Sequence, residues 1–446
     1  MSNNQEIHQT ASHGPQEMPG FRSSVSGVEA ASVTAAAGSD AEASRMPRII
    51  IALRHRDFRL FWAGNFLSNI GTWMQNVAQG WLVLQLTNSP FWLGVVGFAS
   101  TFPILLLALV GGVIADHVNK RRLLLTTQSA MMVFAFVLAA LAWTHHIGVY
   151  GIALLALGTG VAMSLNTPSY QALVPQLVPR SDLTNAIALN AAQFNMSRVI
   201  GPTLGGFAMA VVGAPGNFFL NGLSFLAVIV ALTRIRYGKS VPMEEGQFWR
   251  KFREGFVYVF RREEMALLVW LVAIGSLLAV PYLTFVPYFA REVLHSNERG
   301  LGTLMACSGI GAFLAAASMA YQGRSLRRGR VVVFSGLGCY AAIIAFTFSR
   351  SFRLSCVLSM ISGYCMITMA ATMNTLLQHL ADDEMRGRVM SIYSTAFLGL
   401  PPIGSLLAGS LSKVVTAPHA IAGMASVAFV ATTVMFASRK ALHHLD

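Results

Sequence analysis

At 446 residues, with 54% hydrophobic and only 11% charged side chains, the chain falls far below the roughly 25% charged residues of a soluble domain. A water-soluble globular fold is excluded and lipid becomes the natural solvent. The net charge of +13 does not indicate nucleic acid, because Lys and Arg occur in short clusters between long apolar runs rather than along one face.

Residues 1–46 are rich in Ala, Ser, Gly and Glu and lack long apolar runs. They read as a disordered cytoplasmic tail, not a signal peptide, since no apolar h-region follows the start. From Phe58 onward, apolar segments recur over 58–86, 91–115, 123–143, 148–171, 186–212, 216–234, 266–290, 300–321, 331–349, 354–378, 388–412 and 419–438. About 20 helical residues cross a hydrocarbon core of about 30 Å. Runs of this length are far too long for barrel strands. The expected fold is an all-α integral membrane protein with twelve transmembrane helices. The four cysteines, Cys307, Cys339, Cys356 and Cys365, contain no CxxC pair, so they read as packing residues and no metal or cofactor is expected.

Basic residues set the orientation. With the N-terminus inside, 26 of the 32 Lys and Arg lie in inside segments and five outside, while Arg198 falls within a span. Both termini are therefore expected in the cytoplasm, with the chain in a bacterial inner membrane. The longest internal loop divides the chain into an N-terminal six-helix bundle (47–237), a cytoplasmic linker loop (238–265) and a C-terminal six-helix bundle (266–446). The halves look like repeats. Asn166-Thr167 recurs as Asn374-Thr375, 208 positions later, and Gly201-Pro202 is matched by Pro401-Pro402, 200 positions later. Paired repeats of this kind are the architecture of many secondary transporters, whose substrate site lies between the repeats near the midplane.

Three motifs carry mechanism. The first, Gly112-Val-Ile-Ala-Asp116-His-Val-Asn-Lys120-Arg121-Arg122, lies between spans two and three. It resembles the cytoplasmic signature loop of the major facilitator superfamily, with His117 and Asn119 in place of the usual Arg and Gly. The second, Asp382-Asp383-Glu384-Met-Arg386-Gly387-Arg388-Val, resembles the charged loop of that superfamily between spans ten and eleven. Gly112, Asp116, Lys120, Arg121, Glu384, Arg386 and Arg388 are thereby implied to form a cytoplasmic gate. The third, Gly201-Pro202-Thr-Leu-Gly205-Gly206, is similar to the fifth-helix motif of exporters, although Ser197 stands where that motif begins with Gly. Proline removes an internal hydrogen bond and glycine thins the helix, so these four residues read as a flexing or close-packing element. Together with Gly71-Thr-Trp73-Met-Gln75, Trp81 and Asn166-Thr-Pro168, they make the chain similar to the branch that includes bacterial siderophore exporters and related efflux proteins.

Span one carries Asn65, Asn69, Thr72, Asn76 and Gln79 at steps of 4, 3, 4 and 3, which place them on one helical face. Such a stripe faces a watery cavity or polar partners, not lipid. Arg198 is the one ionisable side chain near the middle of a span. It is expected either to contact an anionic group or to be tied to carbonyls and amides. Tyr282 joins the expected pathway wall. The expected function is alternating-access transport, export of a small amphipathic or anionic compound, with import as the alternative and a non-transporting receptor as a remoter one. The expected partners are a small-molecule substrate, membrane lipid and protons as coupling ion, with no nucleic acid. No phosphate loop or enzyme constellation is present to indicate a pump or an enzyme.

Overall fold

The structure, a computed structural model, describes residues 48–117, 119–235, 248–322 and 328–438, with side-chain surroundings for all of these except 48–49, 108–117, 248–252 and 320–322. The tail expected over 1–46 lies outside the described residues. From Ala52 onward the chain forms one compact unit.

All regular structure among the described residues is helical. After a 3-10 turn over Arg48–Arg54 come α1 (Arg56–Thr87), α2 (Pro90–His117), α3 (Lys120–Trp143), α4 (Val149–Leu173) and α5 (Leu183–Arg234). There follow α6 (Phe248–Arg261), α7 (Glu263–Leu278), α8 (Tyr282–Tyr288), α9 (Glu298–Gln322), α10 (Arg328–Phe348), α11 (Phe352–Leu380), α12 (Arg386–Leu411) and α13 (Ala417–Ser438). Ten segments among the described residues are long and apolar enough to cross a membrane. One of them, Arg180–Arg234, has 55 residues, about 80 Å at 1.5 Å per residue and more than twice the hydrocarbon thickness. Its backbone breaks at Gly213 (φ 69°, ψ 179°), a conformation reserved for glycine, so α5 is two arms rather than one rod. Spans five and six of the sequence reading correspond to those arms. α1 is long enough at 32 residues but falls short in apolarity because of its polar stripe. The seventh span is interrupted between α7 and α8 and ends in a π-turn over Phe289–Val293.

Small residues let these helices approach closely, the usual basis of packing in lipid. α1 packs on α5, where a Cβ at Gly205 would sit 2.9 Å from Met74 Cα. α5 also meets α9, where a Cβ at Gly206 would come within 2.5 Å of Gly302 Cα. α2 meets α12, with a Cβ at Gly409 3.2 Å from Gly94 Cα. The α5–α9 and α2–α12 contacts join elements of the first six spans to elements of the last six. Two polar contacts reinforce them at the same end: the Arg291 guanidinium donates to Asn88 Oδ1 at 2.9 Å, and Lys413 Nζ lies 3.4 Å from the Phe91 ring centroid.

The stretch 238–265 differs from the expected loop. It contains α6, a helix with a strongly one-sided apolar face, which packs on α12. Aromatic residues at helical spacing fold it against the bundle: Phe256 stacks near Phe260 at 4.4 Å and Phe260 meets Trp270 at 6.2 Å.

Candidate substrate cavity

A cavity of about 400 Å³ lies between the two sets of spans. α1 contributes Thr72, Trp73, Gln75, Asn76 and Gln79. α2 adds Ser100 and Thr101, and α5 adds Asn221 and Phe225. From the other side come Pro281, Leu283, Thr284 and Pro287, then Met305 of α9 and Pro401, Pro402 and Ser405 of α12. The hydroxyls of Thr72, Ser100 and Thr101 donate to carbonyls of their own helices, and Gln75 Oε1 accepts from Asn221 Nδ2 at 2.7 Å. Thr284 and Ser405 hydroxyls pair at 3.2 Å. The lining is polar but uncharged, set among apolar and aromatic side chains, the pattern of a pocket for an amphipathic small molecule.

The cavity takes in only part of the expected stripe. Thr72, Asn76 and Gln79 line it; Asn65 and Asn69 do not. Asn65 is buried beside Tyr170, whose hydroxyl donates to Asn190 Oδ1 at 2.8 Å. The reason is length. Asn65 and Gln79 are about 21 Å apart along a helix, so a single face runs from the cavity into the closely packed α1–α4–α5 junction.

Arg198 and Tyr282 lie together in a second, smaller pocket of about 50 Å³. Trp73, Leu283 and Met305 line both pockets and form the partition between them. The Arg198 guanidinium sits 5.9 Å from the Trp73 ring centroid. Of the two expected surroundings, the carbonyls and amides are not found: among the described residues Arg198 makes no hydrogen bond or ion pair to a carbonyl, an amide or an acid. Arg at the centre of a spanning helix costs about 2.5–3.5 kcal/mol on insertion scales, and contact with an aromatic face offsets part of that. Tyr282 is buried and its hydroxyl pairs with Ser362 Oγ at 2.7 Å. No Asp or Glu lines either pocket.

Of the gate residues, Gly112 and Asp116 belong to α2, but their side chains lie outside the described set. Lys120 is buried at the start of α3. Arg121 reaches back to the C-terminus of α5, donating from Nε to Leu232 O at 2.6 Å and from Nη2 to Thr233 O at 2.7 Å. A cation there satisfies terminal carbonyls and complements the helix dipole. The second loop is a charge network. Arg388 pairs with Glu254 at 2.6 Å and Arg386 with Asp383 at 2.6 Å. Arg262 pairs with Asp382 at 3.0 Å, which also accepts from the Tyr258 hydroxyl at 2.7 Å. That hydroxyl, with Arg262 beside it, holds the Asp382 carboxyl below the usual carboxylate range. Glu384 is exposed and forms no ion pair among the described residues. The turn closed by Arg386 N to Asp382 O leaves Asp382 and Asp383 to make the pairs.

Gly201, Gly205 and Gly206 are sites of close approach, and α5 stays helical through them and Pro202, its non-helical residue being Gly213. Sequence reasoning missed Asn221, Met305, Ser308 and Ser359 as pocket residues. It also missed Glu254 and Tyr258 as charge partners. The small-residue run Gly300, Gly302, Gly309 and Gly311 was a signal for the α9 contact.

Comparison with known proteins agrees with this architecture. The Staphyloferrin A transporter of Staphylococcus aureus is 25% identical over 355 residues, 78% of this chain and 88% of that protein. The Enterobactin exporter EntS of Citrobacter koseri is 23% identical over 363 residues, 81% of this chain and 86% of that one. Among solved structures, an inward-facing bacterial homologue of the human lysosomal transporter Spinster superimposes with a TM-score of 0.63 at 15% identity, covering 90% of this chain and 97% of its own. At that identity the likeness establishes the fold. The sequence profile described as Transmembrane secretion effector matches residues 50–445, and the chain belongs to that family of the major facilitator superfamily.

Proposed function

We propose that this protein is a secondary transporter that works by alternating access and exports a small amphipathic or anionic compound across a bacterial inner membrane. The observation that carries the reading is the cavity of about 400 Å³ lined from both sets of spans, because rocking one set against the other would open it to either side in turn. Family membership and the enterobactin-exporting relative support export.

The chain makes twelve crossings, as two six-helix halves joined through α6, with both termini in the cytoplasm; the distribution of Lys and Arg supports that orientation. In this orientation the end tied by Arg291 and Asn88, and by Lys413 and Phe91, is periplasmic, and the conformation is closed there. Thr72, Asn76, Gln79, Arg198 and Tyr282 serve the substrate pathway. Asp116 and the Arg386–Arg388 network serve the cytoplasmic gate. Protons are the assigned coupling ion.

The test is transport by purified protein in proteoliposomes under an imposed pH gradient, with efflux-pump dyes and ferric-siderophore precursors as cargo. Export is supported by proton-driven movement from the cytoplasmic face outward. Movement of cargo down an imposed inward gradient of coupling ion identifies an importer and overturns the direction.

A further inference from the structure

We infer that the small pocket at Arg198 is a binding site for a single carboxylate group on the transported molecule, the rest of which lies in the larger neutral cavity. This rests on the transport reading above and adds the substrate's chemical class.

Three observations converge. The Arg198 guanidinium carbon lies 5.9 Å from the Trp73 ring centroid, and the group carries five N–H donors. Those donors have no acceptor among the described residues. Ser359 lines the same pocket, is 2% exposed, and its buried Oγ has no hydrogen-bond partner. Ser308 also lines the wall, but its hydroxyl is engaged with that of Tyr282, which pairs with Ser362 as well. A pocket with unused donors and no acid asks for an acceptor that carries negative charge, and a planar carboxylate matches the guanidinium fork.

Size narrows the group. A water-sized probe needs about 10–15 Å³ of such space. The pocket's volume of about 50 Å³ therefore holds the equivalent of about three to five water-sized units. A carboxylate, with three non-hydrogen atoms, fits; an aromatic ring, with six, does not. Only the side chains of Trp73, Leu283 and Met305, which line both, stand between this pocket and the cavity of about 400 Å³. A molecule with one terminal carboxylate and an apolar or aromatic body spans both.

The experiment uses the full chain in proteoliposomes and a matched panel: arylalkanoates from 3-phenylpropionate to 6-phenylhexanoate, each beside its primary amide. The expected result is a half-saturating concentration about tenfold or more lower for each acid than for its amide, the effect of a hydrogen-bonded charge. Arg198→Gln should bring acid and amide together, and Arg198→Lys should restore only part of the difference, since Lys lacks the fork. Ser359→Ala should weaken the acid by about tenfold and the amide less, since its carbonyl is a neutral acceptor. Residual amide transport shows that each variant folds; where Arg198→Gln fails that control, Arg198→Lys and Ser359→Ala carry the test. A wild type that treats acid and amide alike, or variants that keep the full preference, refutes the carboxylate pocket while export stands. Movement of neither series removes the transport reading and this inference with it.

Discussion

Gly206→Val tests whether the α5–α9 contact holds one of two alternating states. A Cβ at Gly206 would lie 2.5 Å from Gly302 Cα and 2.9 Å from both Gly302 N and Glu298 O. All three are backbone atoms, so no rotamer change relieves the overlap. Overpacking of this kind costs about 1–3 kcal/mol. The cost applies to the state in which Gly206 meets Gly302, and not to one in which α5 and α9 separate. The ratio of the two states should therefore shift by about 5- to 150-fold toward periplasmic opening. The readout is labelling of a cysteine placed at Asn76, which lines the cavity, after Cys307, Cys339, Cys356 and Cys365 are replaced. An impermeant maleimide should label wild type from the cytoplasmic face. In Gly206→Val it should label from the periplasmic face, with transport slowed. Gly151→Ala is the control, because nothing lies within 4 Å of a Cβ at Gly151. Wild-type labelling and transport in Gly206→Val would refute the contact as an element of the closed state.

Alkaline phosphatase fused after Asn88 or His146 should be active and after Arg122, Met243 or Asp446 inactive; activity at Asp446 would overturn the even number of crossings. Asp116→Asn should slow turnover while half-saturation changes little, because Asp116 belongs to the end of α2; an unaltered rate would remove it from the gate. The attachment of α6 should be insensitive to pH between 8 and 5. The Asp382 carboxyl is held low by the Tyr258 hydroxyl and then by Arg262, so its contribution is complete above the ordinary value of about 3.9 and is lost only as pH falls through the depressed one. A spin label at Val257 that loosens between pH 8 and 5 would contradict this, whereas Tyr258→Phe should move any loosening to higher pH.

Element existence was legible because the bilayer imposes a strict demand: each crossing must satisfy its backbone within a helix and cover it with about 20 apolar residues. Every span read from hydropathy has a helical counterpart in the structure, and the glycine-rich run in α5, read as a flexing or close-packing element, approaches Met74 and Gly302 closely. α6 escaped because its apolar face is one-sided and too short to span; it lies against α12 through Glu254 and Arg388 instead. The pathway was legible only in part. Helical periodicity assigns Asn65 and Gln79 to one face, but the depth at which that face leaves the cavity depends on where α4 and α5 press against α1. Arg198 announced itself by being charged at membrane depth. That its neighbours would be Trp73, Tyr282, Ser308 and Ser359 depended on tertiary structure, because these residues come from α1, α8, α9 and α11 and no local spacing links them. The sequence by itself determined the spans, the motifs and the family resemblance, since these are set by local hydropathy and short-range pattern. Tertiary structure alone decided which helices share a cavity, which glycines close one end, and which serines stand beside the lone guanidinium, since those contacts join residues on different helices that lie far apart in the chain.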